Sequence, residues 1–276
     1  MSVREGIQPR GGARRALTVN AWLVFGFFYL PIVLLIVLSF NDNRMVGIWG
    51  GASLRWYREM LLNVSIIQSL EHSLIVAVIS TIVSTVLGTA TAIALERFSF
   101  RGRGAFDGLV YLPVIIPDVT MAVMMLLFFA RAFAMVQNVT GATLQLGITT
   151  ITLSHIAFNI SFVAIVVRAR LAGLDRSLDE AAADLYASRR QAFRYVTFPL
   201  ILPGILGGAL LALTLSLDDV VITSFVSGPG STTLPVYVFG LVRRGVTPLI
   251  NAVSTVMFGA SMLLVLLSLL AQRRTH

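Results

Sequence analysis

The chain has 276 residues, of which 57% are hydrophobic and only 12% charged, against about 25% charged in an ordinary soluble domain. The formal net charge is +8 at pH 7, and all 21 basic residues are Arg, with no Lys and no Cys. Those absences exclude a Walker A lysine, Schiff-base chemistry, thiol nucleophiles, disulfides and thiolate metal sites, and three scattered His without an HExxH pattern argue against a metal catalytic centre.

A helix needs roughly 20 mainly apolar residues to cross about 30 Å of hydrocarbon. That window predicts six spans, over 17–40, 66–95, 107–130, 146–167, 198–226 and 249–271. Residues 1–15 read as a polar, flexible tail and 16–276 as one membrane domain. The apolar run that opens this domain is too long for the h-region of a cleaved signal peptide, about 7–15 residues. In the third span, Asp118 falls near mid-membrane, roughly 15 Å in at helical rise, and Pro113 and Pro117 just before it loosen the helix. In the fourth, His155, Asn159 and Ser161 read as interhelical hydrogen-bonding groups rather than ligand contacts.

The segment between the fourth and fifth spans is helical in composition, not loop-like. Ser177-Leu178-Asp179-Glu180 reads as a capping box, and the Ala-rich stretch Glu180-Ala181-Ala182-Ala183-Asp184-Leu185 follows it. Pro199 and Pro203 stand where the chain is expected to turn into the next span. Small residues at 181–183 permit close approach of another surface. Glu180 and Asp184 repel at i,i+4, a repulsion that a basic partner removes. A solvated amphipathic helix with a good N-cap accounts for the same residues.

Asp218 and Asp219 interrupt the fifth span, and Gly228-Pro229-Gly230 breaks the chain after it. An acid at the bilayer centre costs about 2.5–3.5 kcal/mol, so Asp118, Asp218 and Asp219 are expected to face a bundle interior or a water-filled path. Adjacent residues diverge by about 100° on a helix. One of the pair Asp218 and Asp219 is therefore expected to face the path and the other to hold structure. Helix–helix hydrogen bonding is the alternative for each acid; the lack of any Arg inside a predicted span favours a cation path.

Fifteen Arg fall on one side of these spans and six on the other (Arg44, Arg55, Arg58, Arg131, Arg243, Arg244). The positive-inside rule then places both termini in the cytoplasm and assigns the basic excess to orientation rather than to nucleic acid.

Two stretches resemble a known family. Glu180-Ala181-Ala182, Asp184-Leu185, Ala187-Ser188, Phe193, Val196-Thr197, Pro199-Leu200 and Pro203-Gly204 resemble the EAA loop of ABC importer permeases. Ser216-Leu217-Asp218-Asp219, Phe225 through Gly230, Thr233-Leu234-Pro235, Val242 through Pro248 and Asn251-Ala252 resemble the second permease of spermidine/putrescine-type importers. The resemblance implies an all-α integral membrane protein with six transmembrane helices in the type I ABC importer permease fold, in a bacterial inner membrane. It implies a coupling helix at about 177–197, with Glu180, Ala181, Ala182, Asp184, Ala187 and Ser188 facing a separate ATPase. The chain itself would then be no enzyme and hold no cofactor, ATP and Mg being bound by the partner ATPase. Implied partners are a second homologous permease, two ATPase copies, a periplasmic substrate-binding protein and membrane lipid, with no nucleic acid. Arg243 and Arg244 read either as interfacial anchors or, by the resemblance, as contacts for that binding protein. The family usually has glycine where this chain has Tyr186, a residue that favours a turn between two short helices less. Polyamines are the implied substrate. The same importer type for an amino-acid derivative, a phosphonate or a metal is the alternative, as is an ion-coupled secondary carrier.

Overall fold

The computed structural model describes residues 11–175 and 177–273. Among these the secondary structure is helical, apart from an isolated antiparallel bridge between Asn41 and Ala52. The helices are α1 (Gly11–Ser39), α2 (Arg55–Leu62), α3 (Val64–Arg97), α4 (Arg103–Ile115), α5 (Asp118–Thr140) and α6 (Ile148–Ala172). They continue with α7 (Ser177–Asp184), α8 (Arg189–Ala192), α9 (Phe198–Asp218), α10 (Val221–Val226), α11 (Leu234–Arg244) and α12 (Pro248–Arg273). Five helical stretches are long and apolar enough to cross a membrane, and α12 contributes a shorter apolar one over Pro248–Leu263.

The centre of the molecule is a bundle of α3, α6 and α9. Its packing is written in α3 as small residues at helical spacing: Ser69, Ser73, Ala77, Ser80, Ser84, Gly88 and Ala92, all buried. Such a stripe lets helices approach to backbone distance, the usual source of association where lipid removes the hydrophobic drive. A Cβ on Gly88 would stand 2.7 Å from Cβ of Val163 and 2.9 Å from the Ile160 carbonyl oxygen; one on Gly208 of α9 would stand 3.2 Å from Cγ1 of Val163. Val163 is thus a knob held between two glycines. Around it Ala92, Val167, Leu171, Ile201 and Ala212 close a buried cluster.

A second cluster joins α10 to α5 and α6 through Val76, Ala122, Phe129, Ile151, Ile222 and Val226. At one end α2 and α11 lie against α3 and α12 over Ile66, Leu234 and Val253. α1 rests on α12, and no residue of its most apolar stretch is fully buried within the chain.

Several expected boundaries moved, each for a local reason. The third span is two helices, because Pro117 lacks an N–H and holds Ile116 in an extended conformation (φ −75°, ψ 133°). Asp118 accordingly begins α5 instead of lying inside a continuous helix, and α5 runs on past the expected end at 130 to Thr140 before Gly141 closes it at φ +73°. The fifth span breaks at Asp219 (φ −68°, ψ 126°) and restarts as α10. Pro199 and Pro203 make no turn: the chain is helical from Arg189 to Asp218, with a π-helical turn at Phe193–Thr197. That wider turn sits where the Pro199 ring crowds the carbonyl four residues earlier. α1 begins at Gly11, so residues 11–15 of the expected tail are helical, while 1–10 lie outside the described residues.

Candidate functional site

Two regions carry the residues singled out from the sequence: a polar seam in the bundle and the segment between α6 and α9.

The seam is built from four helices. His155 of α6 is 2% exposed, with Nδ1 2.6 Å from Oγ of Ser216 on α9 and Nε2 3.0 Å from Oγ1 of Thr223 on α10. Ser216 Oγ is in turn 3.0 Å from Oγ of Ser80 on α3. The Asp219 carboxylate accepts from the backbone N–H of Ile222 (3.2 Å) and Thr223 (2.7 Å) and from the Thr223 hydroxyl (2.7 Å). Its Oδ2 also lies 3.3 Å from Nε2 of His155. The N–H groups that open a helix have no partner of their own, so Asp219 starts α10 by capping it. Asn159, buried one turn along from His155, donates to the carbonyl of Ala212 at 3.3 Å. His155, Phe158, Asn159, Leu215, Ser216, Asp219 and Ile222 together line a small recess.

The three membrane acids therefore separate. Asp219 is consumed by structure. Asp118 and Asp218 are exposed on the chain and make no hydrogen bond or ion pair with any described residue. Each stands four residues ahead of a residue in the α5–α10 cluster, Asp118 one turn before Ala122 on α5 and Asp218 before Ile222 across the break at Asp219.

The break after Gly228-Pro229-Gly230 also has a packing role. A Cβ on Gly228 would lie 1.9 Å from the Leu146 carbonyl oxygen, so only glycine fits. The turn is tied to the bundle by the Leu234 N–H donating to Oγ of Ser73 (2.8 Å) and by Nδ1 of His72 at 3.1 Å from the Thr232 carbonyl.

In the α6–α9 segment, the helix starts differently from the expected capping box. Ser177 is already helical, and its N–H donates to Oδ1 of Asp175 at 2.9 Å; the residue two positions earlier supplies the cap. A capping box does occur further on, where Ser188 and Gln191 open α8. Ala181, Asp184 and Ser188 are exposed, Ala187 is half-buried, and Ala182 turns inward at 8% exposure. The side chain of Glu180 lies outside the described residues. Between α7 and α8 the Ala187 N–H donates to the Ala182 carbonyl (3.0 Å) and the Leu185 N–H to that of Ala181 (3.2 Å). This is a Schellman closure with Tyr186 in the left-handed position, at φ +59°. Glycine occupies that position freely, whereas a side chain costs about 1–2 kcal/mol there. The turn forms nonetheless, with the Tyr186 ring 98% exposed.

A group that sequence reasoning missed is Arg168 of α6. It forks onto Asp107 of α4, through Nη1–Oδ1 and Nη2–Oδ2, and its Nε lies 3.4 Å from Oε2 of Glu96 on α3. Helical spacing does not reveal it, because its partners lie 61 and 72 residues away.

With a capped break inside a small-residue bundle and a separate helical elbow on one side, the fold is that of a membrane permease. The chain belongs to the binding-protein-dependent transport system inner membrane components, a family that matches residues 84–275. It is 44% identical over 240 residues to the putrescine transport system permease protein PotI of Escherichia coli (strain K12), covering 86% of this chain and 84% of that one. It is 39% identical over 255 residues to the spermidine/putrescine transport system permease protein PotC of Haemophilus influenzae, covering 92% and 95%. Among solved structures, a bacterial ABC transporter for import of the acidic polysaccharide alginate superposes with a TM-score of 0.74 at 18% identity, over 95% of this chain and 94% of that one. The MetNI methionine ABC transporter superposes at 0.61, also 18% identical, over 76% and 95%. The fold is therefore the six-span ABC importer permease fold, and the chain is a membrane-embedded transport subunit.

Proposed function

We propose that this chain is one of two homologous permease subunits of an inner-membrane importer for polyamines, putrescine or spermidine. A periplasmic protein delivers the substrate, and two copies of a separate ATPase, which bind ATP and Mg, drive the cycle. Both termini lie in the cytoplasm, as the distribution of Arg favours. ATPase closure pushes the segment over residues 177–197, the bundle turns outward, and substrate passes from the binding protein into the path; hydrolysis and release reset it.

The observation that carries the substrate class is the separation of the acids. Asp118 and Asp218 lie at two helix breaks without a partner among the described residues, whereas Asp219 is already satisfied. By chain count the third and fifth spans run in the same direction, and α5 packs along α10. The helix that follows the Asp218 break thus packs on the helix that the Asp118 break opens. Two unpaired carboxylates at breaks of helices that pack together suit a cation with two ammonium groups, whose lost hydration they replace. The similarity to permeases named for putrescine and spermidine supports the same class.

Uptake of labelled putrescine and spermidine is the test, in cells with this gene intact or deleted and other polyamine importers removed. Uptake that disappears on deletion and returns with the gene is the expected result. Unchanged uptake would remove the polyamine assignment.

A further inference from the structure

Tyr186 is the only non-glycine at positive φ among the described residues. Strain of this kind persists where the surroundings enforce it and concentrates at sites of function. The turn itself does not ask for a tyrosine, since glycine closes a Schellman motif without strain. Nor does the chain use the ring: Tyr186 is 98% exposed and the preceding Leu185 82%. Two large apolar side chains thus project together from the tip of the elbow between α7 and α8. Asp184 flanks them on one side and the exposed Arg189 and Arg190 on the other, and Ala182 holds the opposite face inward. An exposed aromatic beside Arg is the composition of an interface anchor.

We propose that Tyr186 is the anchor by which this permease selects its ATPase. Its ring, with Leu185, fills an apolar pocket on the ATPase whose rim carries carboxylates facing Arg189 and Arg190. The inference rests on the reading that residues 177–197 dock the ATPase. It adds that a side chain kept in a left-handed conformation makes the contact, so an ATPase lacking the pocket is rejected.

The test uses the full permease pair in nanodiscs, titrated with its purified, nucleotide-free ATPase. Tyr186→Gly relieves the backbone strain, so the permease keeps or gains thermal stability. Its affinity for the ATPase is nonetheless expected to fall about tenfold or more, the scale of a lost anchor. Tyr186→Phe should retain most of the affinity. Wild-type affinity in Tyr186→Gly overturns the proposal, as does a loss seen in nanodiscs but absent in lipid-free detergent, which would assign the ring to lipid headgroups. Glu180→Lys, measured in parallel, separates the two levels. Detachment by Glu180→Lys with no effect of Tyr186→Gly leaves the docking reading standing and removes only the anchor. Full affinity in both variants removes both.

Discussion

Nε2 of His155 stands 3.3 Å from Oδ2 of Asp219, and the same carboxylate oxygen receives the Thr223 backbone N–H at 2.7 Å. One side chain therefore closes a helix-to-helix contact and starts a new helix inside the membrane, where an unsatisfied polar group is expensive. Asp219 is fixed by that double duty, which is why it differs from its neighbour Asp218.

The three acids are expected to respond differently to substitution. Asp219→Ala leaves the N–H groups of Ile222 and Thr223 without their side-chain acceptor, a loss of about 1–3 kcal/mol for each group orphaned, while Nε2 of His155 keeps Oγ1 of Thr223 at 3.0 Å. Thermal unfolding in detergent should show a clear drop. Asp118→Asn and Asp218→Asn should leave that midpoint unchanged, and at least one should impair polyamine uptake. If Asp219→Ala is as stable as the parent, the capping account is wrong; unchanged uptake kinetics in both other variants would take them out of the path.

Gly88→Val tests the knob in the bundle. The added Cβ meets Val163 at 2.7 Å and the Ile160 carbonyl at 2.9 Å, contacts that demand a backbone shift worth about 1–3 kcal/mol. A lowered unfolding midpoint is expected. Gly12→Val, where a Cβ meets nothing within 4 Å, serves as the control. A midpoint in Gly88→Val equal to that of the control would refute close approach of α3 and α6.

Asp175 sets a pH dependence for α7. Its carboxyl is held below the usual carboxylate value, first by the Ser177 backbone N–H and then by the Ser177 side chain, both of which favour the charged form. A depressed folded-state value means that the stabilisation is fully present above the unfolded value, about 3.9, and is lost as pH falls through the folded one. Protection of the α7 amides, corrected for intrinsic exchange, should be the same at pH 7 and pH 5 and decline only in stronger acid. Fraying already at pH 5 would contradict the cap, as would normal protection in Asp175→Ala.

Arg168 joins α3, α4 and α6 by ion pairs that are only partly exposed, at 22% for Arg168 and 23% and 33% for Glu96 and Asp107. Arg168→Gln and Asp107→Asn should each lower stability by about 1 kcal/mol, with the double variant losing less than the sum. Strict additivity would mean that the fork contributes nothing.

What the sequence determined by itself is what depends on local composition. Apolar length marked the spans, the imbalance of Arg suggested orientation, and the motif from Glu180 to Gly204 pointed to the family. Pro117 and Asp219 were visible as disturbances, because proline and a membrane carboxylate are costly wherever they stand. Their outcome was not visible. Whether a disturbed helix bends, breaks or continues depends on what receives its freed backbone groups. At Asp219 the break is fixed by its own carboxylate together with His155, 64 residues earlier in the chain. At Pro199 the helix runs on through a π-turn instead. Tyr186 shows the same limit from the other side: its low preference for a left-handed turn was legible, yet the Ala187–Ala182 hydrogen bond closes that turn against it. The pairing of Arg168 with Asp107 and the seat of Val163 between Gly88 and Gly208 were likewise decided by the tertiary structure alone. Each joins residues distant in the chain, and only packing in three dimensions sets which of many possible partners meet.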